Sequence, residues 1–331
     1  MKIGITNSLN LEKRTGVEEY VYQILKHFPM VDDYGNHQLF YHDRQNLKWP
    51  FKKFWTQIRL SWEMLKNPLD ILFIPAHTFP IIHPKLIITI HGLEYENVPK
   101  MYSWYERLKL RFLTKRNAKK AKKIIVPSQS VKNDLIRFYQ INPEKIFVVY
   151  HGVEIQDSGL SARGGSASSG KKYILYLGGG HKRKNIEGLK KAYEILREKY
   201  PPASPAKRGG RGKIEHELVF AGVDKHVSEE KKWELLKNAD IMVYPSLYEG
   251  FGFPPLEAQS VGVPVVSSNI SSLPEILASS ALLVNPYNPE EIAEAIYRVL
   301  SDENLRNDLI KKGRENVKRF SWSKCAQETL K

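Results

Sequence analysis

The sequence contains almost no cysteine: Cys325 is the single one among 331 residues. One thiol can form no disulfide within the chain, and it excludes a zinc site built from several cysteines. No segment approaches the roughly 18 consecutive apolar residues of a membrane-spanning helix. The opening residues, MKIGITNS, also lack the apolar core of a signal peptide. The sequence therefore predicts a globular protein of the reducing cytoplasm.

Acidic residues are scarce in the first half of the chain. Residues 1–153 contain 24 Lys and Arg against 13 Asp and Glu, whereas residues 154–331 contain 27 against 23. A basic surface attracts nucleic acid, anionic lipid or a phosphorylated substrate. The charge alone leaves all three classes of partner open.

Short apolar segments alternate with helical periodicity along most of the chain. In residues 1–153, segments such as DILFIPAH and LIITIHG are separated by helical patterns at 17–28, 53–66, 101–121 and 130–139. Apolar strands separated by helices are typical of a parallel sheet that is covered on both faces. We therefore expect one Rossmann-like domain over residues 1–153.

A segment rich in glycine and serine, residues 154–172, separates this pattern from a second one. Its composition is typical of a flexible linker. The alternation resumes over residues 173–320, where Asn288 followed by Pro289 matches the start of a helix. The predicted fold class is α/β, with two doubly wound Rossmann-like domains that face each other across a cleft.

The most informative motif is an E-x7-E block with a glycine-bearing turn. Glu249 and Glu257 stand eight positions apart, and Gly250, Phe251 and Gly252 lie just after the first of them. Glycines let a ligand approach the backbone, and N–H groups at a helix start bind anions and hydroxyl oxygens. Each carboxylate can also accept the paired hydroxyl groups of a sugar. A glycine turn with two solvated glutamates explains the spacing equally well.

A second motif, LGGGHKRKN, follows the predicted strand YILYL. Arg183 and Lys184 precede a predicted helix, and cations at a helix N-terminus suit a diphosphate. The glycines, Gly179 among them, do not form the G-x-G-x-x-G fingerprint of dinucleotide-binding domains. An exposed basic turn without a ligand is the alternative interpretation.

Two further candidates lie beside predicted strands. His91 follows LIITI, and the carboxyl end of a parallel strand faces the ligand crevice of an open sheet. Gly16 lies between the first strand and the first helix, where a glycine allows close approach to a ligand. A structural histidine and an ordinary turn glycine explain the two positions without any ligand.

Taken together, these motifs resemble the retaining, nucleotide-sugar-dependent glycosyltransferases of family 4, the glycosyl transferases of group 1 with the GT-B fold. The resemblance extends from TGVEEY through ITIHG, LGGGHKRKN and ADIMVYPSLYEGFGFPPLEA to the closing FSWSKCAQETL. It implies transfer of a hexose, of the mannose, rhamnose or glucose type, from a nucleotide-diphosphate sugar. The implied acceptor is a glycan or a lipid-linked molecule in surface polysaccharide assembly.

The resemblance also implies a role for each candidate residue. Arg183 and Lys184 would hold the donor diphosphate, and Glu257 would bind the ribose. Glu249 would bind the transferred sugar, and His91 would contact it near the reacting centre. The other donor-binding candidates are glycines and one aromatic residue: Gly16, Gly179, Gly250, Phe251 and Gly252.

No metal or other cofactor is expected from the resemblance, because protein cations replace a divalent ion at the diphosphate. The sequence contains no D-x-D motif. The closing segment, residues 321–331, would return to the first domain.

The sequence departs from the family pattern at three places. Gly92 stands where a carboxylate often follows the histidine, and Gly179 stands where some members have an arginine. About one strand and one helix before Asp240 are missing. These departures favour, as an alternative, an inactive nucleotide-sugar-binding protein of the same fold. A basic nucleic-acid-binding protein is a further alternative, but it leaves the E-x7-E block unexplained, so nucleic acid is not an expected partner.

Aromatic and basic residues are interleaved in two segments of the first half. Residues 100–123 hold ten Lys and Arg against one acid, and residues 48–66 hold five against one together with three tryptophans. Such segments are typical of helices that lie on a membrane. We therefore expect peripheral association with an anionic membrane surface on the cytoplasmic side. In the alternative interpretation, the large apolar side chains pack against the sheet: Trp62, Leu65, Leu108 and Phe112.

Overall fold

In the computed structural model the chain forms two compact units, which are described separately. The first unit is Met1–Gly152 together with Trp322–Lys331, and the second is Val153–Ser321. The structure describes residues 1–7, 16–28, 38–43, 47–50, 54–75, 80–155, 172–201, 214–225 and 227–331. The predicted linker therefore lies outside the described residues from 156 to 171.

The first unit is built on a parallel sheet with helices on both faces. Its strands are β1 (Lys2–Asn7), β2 (Gln38–Asp43), β3 (Ile71–Ile74), β4 (Lys85–Thr89), β5 (Lys123–Val126) and β6 (Ile146–Val148). Their order across the sheet is β2-β1-β3-β4-β5-β6. Its helices are α1 (Gly16–His27), α2 (Leu60–Lys66), α3 (Glu94–Asn97), α4 (Trp104–Lys120), α5 (Gln129–Tyr139) and, from the end of the chain, α12 (Trp322–Leu330).

The second unit repeats this architecture with a smaller sheet. Its strands are β7 (Tyr173–Leu177), β8 (Glu217–Ala221), β9 (Ile241–Tyr244), β10 (Val265–Ser268) and β11 (Leu282–Val284). Their order is β11-β10-β9-β7-β8, and all the pairings are parallel. Its helices are α6 (Ile186–Lys199), α7 (Glu229–Asn238), α8 (Phe253–Ser260), α9 (Leu273–Leu277), α10 (Pro289–Ser301) and α11 (Glu303–Val317).

The strand order of the second sheet creates a crevice between β7 and β9. These strands are neighbours, with Leu175 paired to Met242, but the chain continues from them toward opposite edges of the sheet. Ligands of open parallel sheets bind at the carboxyl ends of strands where the order reverses in this way. The LGGG turn leaves β7 and the EGFG loop leaves β9, so both motifs lie at this reversal.

Between α6 and β9, the described residues contain one strand and one helix, β8 and α7. This confirms the prediction that the chain passes from a single strand directly to the helix before β9. The N-cap predicted at Asn288 is also confirmed, because its side chain accepts the N–H groups of Glu290 and Glu291.

The helix predicted over 101–121 begins three residues later, at Trp104. Ser103 accepts the N–H of Glu106, and the Glu106 carboxylate in turn accepts the N–H of Ser103. This reciprocal capping box satisfies two backbone donors that a helix start leaves without intrahelical partners. A short 3₁₀ turn, Pro99–Met101, precedes the cap.

The last helix, α12, packs within the first unit. Trp322 stacks on His151 at 6.0 Å between ring centroids, and it lies so close to Gly152 that a Cβ there would be 2.3 Å from the Trp322 nitrogen. A distance below 3 Å is not tolerated by real Cβ atoms, so this position requires glycine. The contact holds the end of the chain against the segment that follows β6.

Candidate functional site

The turn after β7 and the loop after β9 are joined by hydrogen bonds to the Arg183 carbonyl. Lys182–Lys184 forms a single 3₁₀ turn. The Arg183 carbonyl accepts the N–H of Leu247 at 2.7 Å and the hydroxyl of Ser246 at 3.2 Å. The LGGGHKRKN motif and the loop that carries the E-x7-E block are therefore parts of one structure.

Asn185 gives the basic turn its direction. Its backbone is left-handed, with φ of 58°, and its side-chain amide donates to the Pro286 carbonyl at 2.7 Å. Asparagine tolerates this conformation better than most residues. The change of direction ends the 3₁₀ turn and begins α6, which leaves Arg183 and Lys184 beside β9.

Glu249 is the centre of the site. Its side chain is only 9% exposed, and its Oε1 atom accepts hydrogen bonds from four groups. Arg183 Nη1 lies at 3.0 Å, Lys184 Nζ at 2.7 Å and the Tyr244 hydroxyl at 3.2 Å, and the Ser246 hydroxyl donates as well. Any further group that donates to Glu249 must therefore reach Oε2, because Oε1 is already saturated.

The two cations decide the charge of this carboxyl group. Burial by itself would raise the pKa of Glu249, but Lys184 and Arg183 lower it to about 2. The group is thus ionised at neutral pH in spite of its burial. Burial and the Glu249 charge raise the pKa of the neighbouring Tyr244 hydroxyl well above its usual value, so this phenol remains a neutral donor.

Two serines after β10 hold the EGFG loop in place. The Glu249 N–H donates to the Ser271 hydroxyl at 3.1 Å, and the Ser272 hydroxyl contacts the carbonyls of Glu249 and Phe251 at 3.0 and 2.9 Å. Phe251 itself is buried, with its ring edge-to-face on Phe320. Its side chain is therefore part of the core, and only its backbone is suited to contact a ligand.

Gly252 occupies a backbone conformation that favours glycine. Its φ is 113°, and a Cβ at this position would lie 2.8 Å from Leu273 Cδ2. The following helix begins at Phe253, with Pro254 and Pro255 in its first turn. Because proline has no N–H, these two positions offer no backbone donor to a ligand.

Glu257 forms an ion pair that the sequence did not indicate. Lys232 Nζ on α7 lies 2.7 Å from Glu257 Oε1 on α8 and 2.8 Å from Glu229 Oε2. Burial by itself would lower the pKa of Lys232, but Glu257 and Glu229 raise it above its usual value. The lysine therefore stays charged and fixes the Glu257 carboxylate, whose side chain is 16% exposed.

Gly179 lies in the turn after β7, where its carbonyl accepts the Tyr176 hydroxyl at 3.2 Å. A Cβ at Gly179 would meet only His181, at 3.4 Å. Position 179 therefore does not require glycine for steric reasons. Gly16, the last glycine candidate, is the first residue of α1, and the loop before it lies outside the described residues.

His91 follows β4 in the first unit. Its Nε2 lies 3.0 Å from the Pro75 carbonyl, which can only accept, so Nε2 carries the proton. The Tyr20 ring packs edge-on against it at 5.0 Å. His151, at 5.5 Å, completes this cluster, and burial together with His91 holds the pKa of His151 well below its usual value. His151 is therefore neutral at pH 7.

Several residues that lie beside the candidate residues of each unit were not predicted from the sequence. The sequence did indicate His151, because VVYHG ends a predicted strand in His-Gly, as ITIHG does at His91. The sequence also indicated the serines after β10, since SSNISS belongs to the end of a predicted strand. That strand neighbours β9, which leads into the EGFG loop. Nothing in the sequence indicated Lys232: lysines are common on helices, and only the fold brings this one to Glu257.

Two kinds of feature are absent from the described residues. Among them, no group of three or more His, Cys, Asp or Glu side chains is arranged to hold a metal ion. No helix in the same part of the chain has both the length and the apolar composition needed to cross a membrane.

Two protein-family models match the chain, one for each unit. The model described as Glycosyltransferase Family 4 matches residues 27–157, and the model described as Glycosyl transferases group 1 matches residues 161–316. Together the two models account for most of the sequence, including every candidate residue except Gly16.

Curated relatives are similar in sequence. Over 169 residues the chain is 38% identical to the O-antigen chain mannosyltransferase B of Escherichia coli, which corresponds to 48% of this chain and 44% of the relative. The chain thus spans less than half of that relative. It is 27% identical to the O-antigen chain mannosyltransferase RfbU of Salmonella typhimurium over 85% of this chain and 77% of the relative.

A solved structure supports the fold. Anabaena Alr3699/HepE, crystallised with UDP-glucose, superposes with a TM-score of 0.68 over 100% of this chain and 99% of that chain. The sequence identity is 16%, so this likeness concerns the architecture alone.

We predict that the charge of Glu249 makes stability depend on pH below about pH 5. A carboxyl group whose pKa is lower in the folded than in the unfolded state stabilises the fold above its unfolded value. That contribution is lost as the pH falls from about 4.5 toward 2. In Glu249→Gln, the buried Lys184 and the half-buried Arg183 lose their anionic partner, which costs on the order of 3–5 kcal/mol near neutral pH.

Urea unfolding of wild type and Glu249→Gln near pH 7 and near pH 3 measures this effect. The stability difference between the two proteins should be roughly 2 kcal/mol smaller at the acidic pH. Glu187→Gln is the matched control, because Glu187 is an exposed partner of Lys190 whose loss costs little at either pH. A difference that is the same at both pH values would contradict the assignment.

Proposed function

Because the chain belongs to the family-4 type of glycosyltransferases with the GT-B fold, we propose that it transfers a hexose from a nucleotide-diphosphate sugar. The observation that supports this most strongly is the convergence of Arg183 and Lys184 on Glu249 between β7 and β9. Two cations fixed at the carboxyl edge of a parallel sheet are suited to a diphosphate. The acceptor is a glycan or a lipid-linked molecule in surface polysaccharide assembly, by analogy with the O-antigen relatives.

In the proposed donor complex, Arg183 and Lys184 bind the diphosphate. Glu257, already held by Lys232, accepts the ribose hydroxyls.

The transferred sugar contacts the backbone of Gly250, Phe251 and Gly252 and the Oε2 side of Glu249. Glu249 has a second task, which is to position the two cations. His91 contacts the sugar near the reacting carbon, while Gly16 and Gly179 border the phosphates.

The reaction breaks the bond between the anomeric carbon of the sugar and the diphosphate oxygen. An acceptor oxygen forms its new bond on the same face, so the configuration is retained, and its proton passes to the departing diphosphate. Negative charge on the leaving group is largest in the transition state. Cations that are preorganised for this charge lower the barrier more than cations that must first be recruited from solution. The two side chains supply that charge without a metal ion.

The donor in this proposal carries mannose, rhamnose or glucose, with mannose favoured by the names of the relatives. We propose the cytoplasm as the location, consistent with a single buried free cysteine. The second candidate is a nucleotide-sugar-binding protein without catalysis. It is favoured by Gly92, which replaces a possible carboxylate partner beside His91.

The reaction is tested by incubating the protein with GDP-mannose, UDP-glucose or dTDP-rhamnose and a lipid extract of polysaccharide-producing cells. We predict release of the nucleoside diphosphate that depends on the extract, and activity that persists in EDTA. Arg183→Ala and Lys184→Ala should each lower kcat by about 10²–10³, because each removes a preorganised partner of the leaving group.

Lys182→Ala is the matched control, since Lys182 belongs to the same turn but is exposed, and it should keep nearly full activity. Binding of a nucleotide sugar without any turnover would favour the inactive binding protein. Near-normal kcat in both charge variants would contradict the role of the turn, and activity that requires magnesium would contradict the metal-free reaction.

Glu257 provides a separate test of donor binding. Glu257→Ala should weaken the affinity for the preferred nucleotide by roughly 10- to 100-fold, because hydrogen bonds to a charged group contribute about 1.5–3 kcal/mol. Titration calorimetry measures this loss. Glu229→Ala removes the other carboxylate that contacts Lys232 and serves as the control. Equal affinities of the two variants would rule out a ribose contact by Glu257.

A further inference from the structure

Helix α4 exposes several large apolar side chains to solvent and buries small or polar ones in the core. Trp104, Leu108 and Phe112 are 78%, 57% and 65% exposed, whereas Thr114 and Ala118 are buried. An ordinary surface helix shows the opposite arrangement. The alternative in which these aromatic and aliphatic residues pack against the sheet is therefore wrong for α4.

The segment before β3 also exposes large apolar side chains, although it buries others. A π-helical turn, Trp55–Arg59, continues directly into α2, and Leu60 and Met64 point into the core. Trp62 and Leu65 are 56% and 61% exposed, so the same alternative is wrong here too.

Both helices cover the same face of the first sheet. Leu60 and Met64 of α2 belong to the same core cluster as Ala118 of α4, together with residues of β3, β4 and β5. Their outer surfaces therefore point away from the sheet on the same side. We name these outer surfaces the apolar–basic face and define it by six exposed residues: Ile58, Trp62, Leu65, Trp104, Leu108 and Phe112.

Cations continue the apolar stripe of α4. At 3.6 residues per turn, the spacing that aligns Leu108 with Phe112 also aligns them with Lys115 and Lys119. Arg116 and Lys120 flank this line, and α4 contains one acid, Glu106, which is used in the helix cap. The outer surface of α4 thus has protruding apolar side chains in the first half of the helix and positive charge in the second half.

We propose that the apolar–basic face docks on an anionic lipid surface. A bilayer accepts protruding tryptophan and leucine side chains at its interface, and its acidic headgroups attract the lysines and arginines beside them. A second copy of this chain would bring two basic faces together, which like-charge repulsion disfavours. The proposal concerns a surface of the first unit and does not depend on the reaction proposed for this protein.

The docking is tested by vesicle flotation of the full chain, without donor or acceptor. We compare vesicles of phosphatidylglycerol and phosphatidylcholine with vesicles of phosphatidylcholine alone, each at low and at physiological salt. The protein should float with the anionic vesicles, and binding should weaken as salt screens the charges. It should partition at least about tenfold less onto neutral vesicles.

Two sets of substitutions separate the apolar and the charged contributions. The triple variant Trp104→Ser, Leu108→Ser, Phe112→Ser and the quadruple variant Lys115→Ser, Arg116→Ser, Lys119→Ser, Lys120→Ser should each reduce binding by at least about tenfold. The matched controls lie on the second unit. Tyr287→Ser removes an exposed aromatic residue, and the quadruple Lys225→Ser, Lys237→Ser, Lys311→Ser, Lys318→Ser removes the same charge; both should bind as wild type does.

We expect all the variants to fold, because the substituted positions lie at the surface or, for Lys115, are half-buried. Unchanged thermal unfolding checks this. A protein that stays in the soluble fraction with anionic vesicles at low salt overturns the proposal. Equal loss of binding in the control variants also overturns it. A dimer that the triple variant converts to a monomer, without vesicle binding, would assign the face to a second copy of the chain.

Discussion

The ion pairs of the buried Glu249 carboxylate are the interaction on which the rest of the candidate site depends. A carboxylate in a dry environment is costly unless it is paired, and Arg183 and Lys184 supply that pairing from the neighbouring strand end. The carboxylate in turn holds two cations that would otherwise repel each other. The site therefore carries a net positive charge in a fixed place before any anion arrives.

This arrangement is better explained by function than by stability. A buried ion pair often contributes less to stability than apolar residues of the same volume would. The surrounding structure nevertheless supports it with hydroxyl groups, among them Tyr244 and Ser246, and Ser272 braces the loop that carries it. Such support is expected where charged side chains must stabilise a ligand without moving. A transition state that develops negative charge requires cations that are already in place.

The fold and the main site residues could be predicted because they depend on local patterns. Apolar segments separated by helical periodicity indicate parallel sheets, and residues at strand ends meet at one edge, which is why Arg183, Lys184 and Glu249 lie together. Contacts between distant helices have no such pattern, so the partnership of Lys232 with Glu257 was missed. The outward aromatic residues of α4 were ambiguous for a related reason: periodicity gives the faces of a helix, and only packing shows which face is buried.

The central claim is that Arg183 and Lys184, held by Glu249, bind a diphosphate. Titration calorimetry with a nucleoside diphosphate and the corresponding monophosphate tests it most directly, in wild type and in the double variant Arg183→Ala, Lys184→Ala. The account predicts that the diphosphate binds wild type at least about tenfold more tightly than the monophosphate, and that this preference disappears in the variant. A preference of the same size in a folded double variant would contradict it.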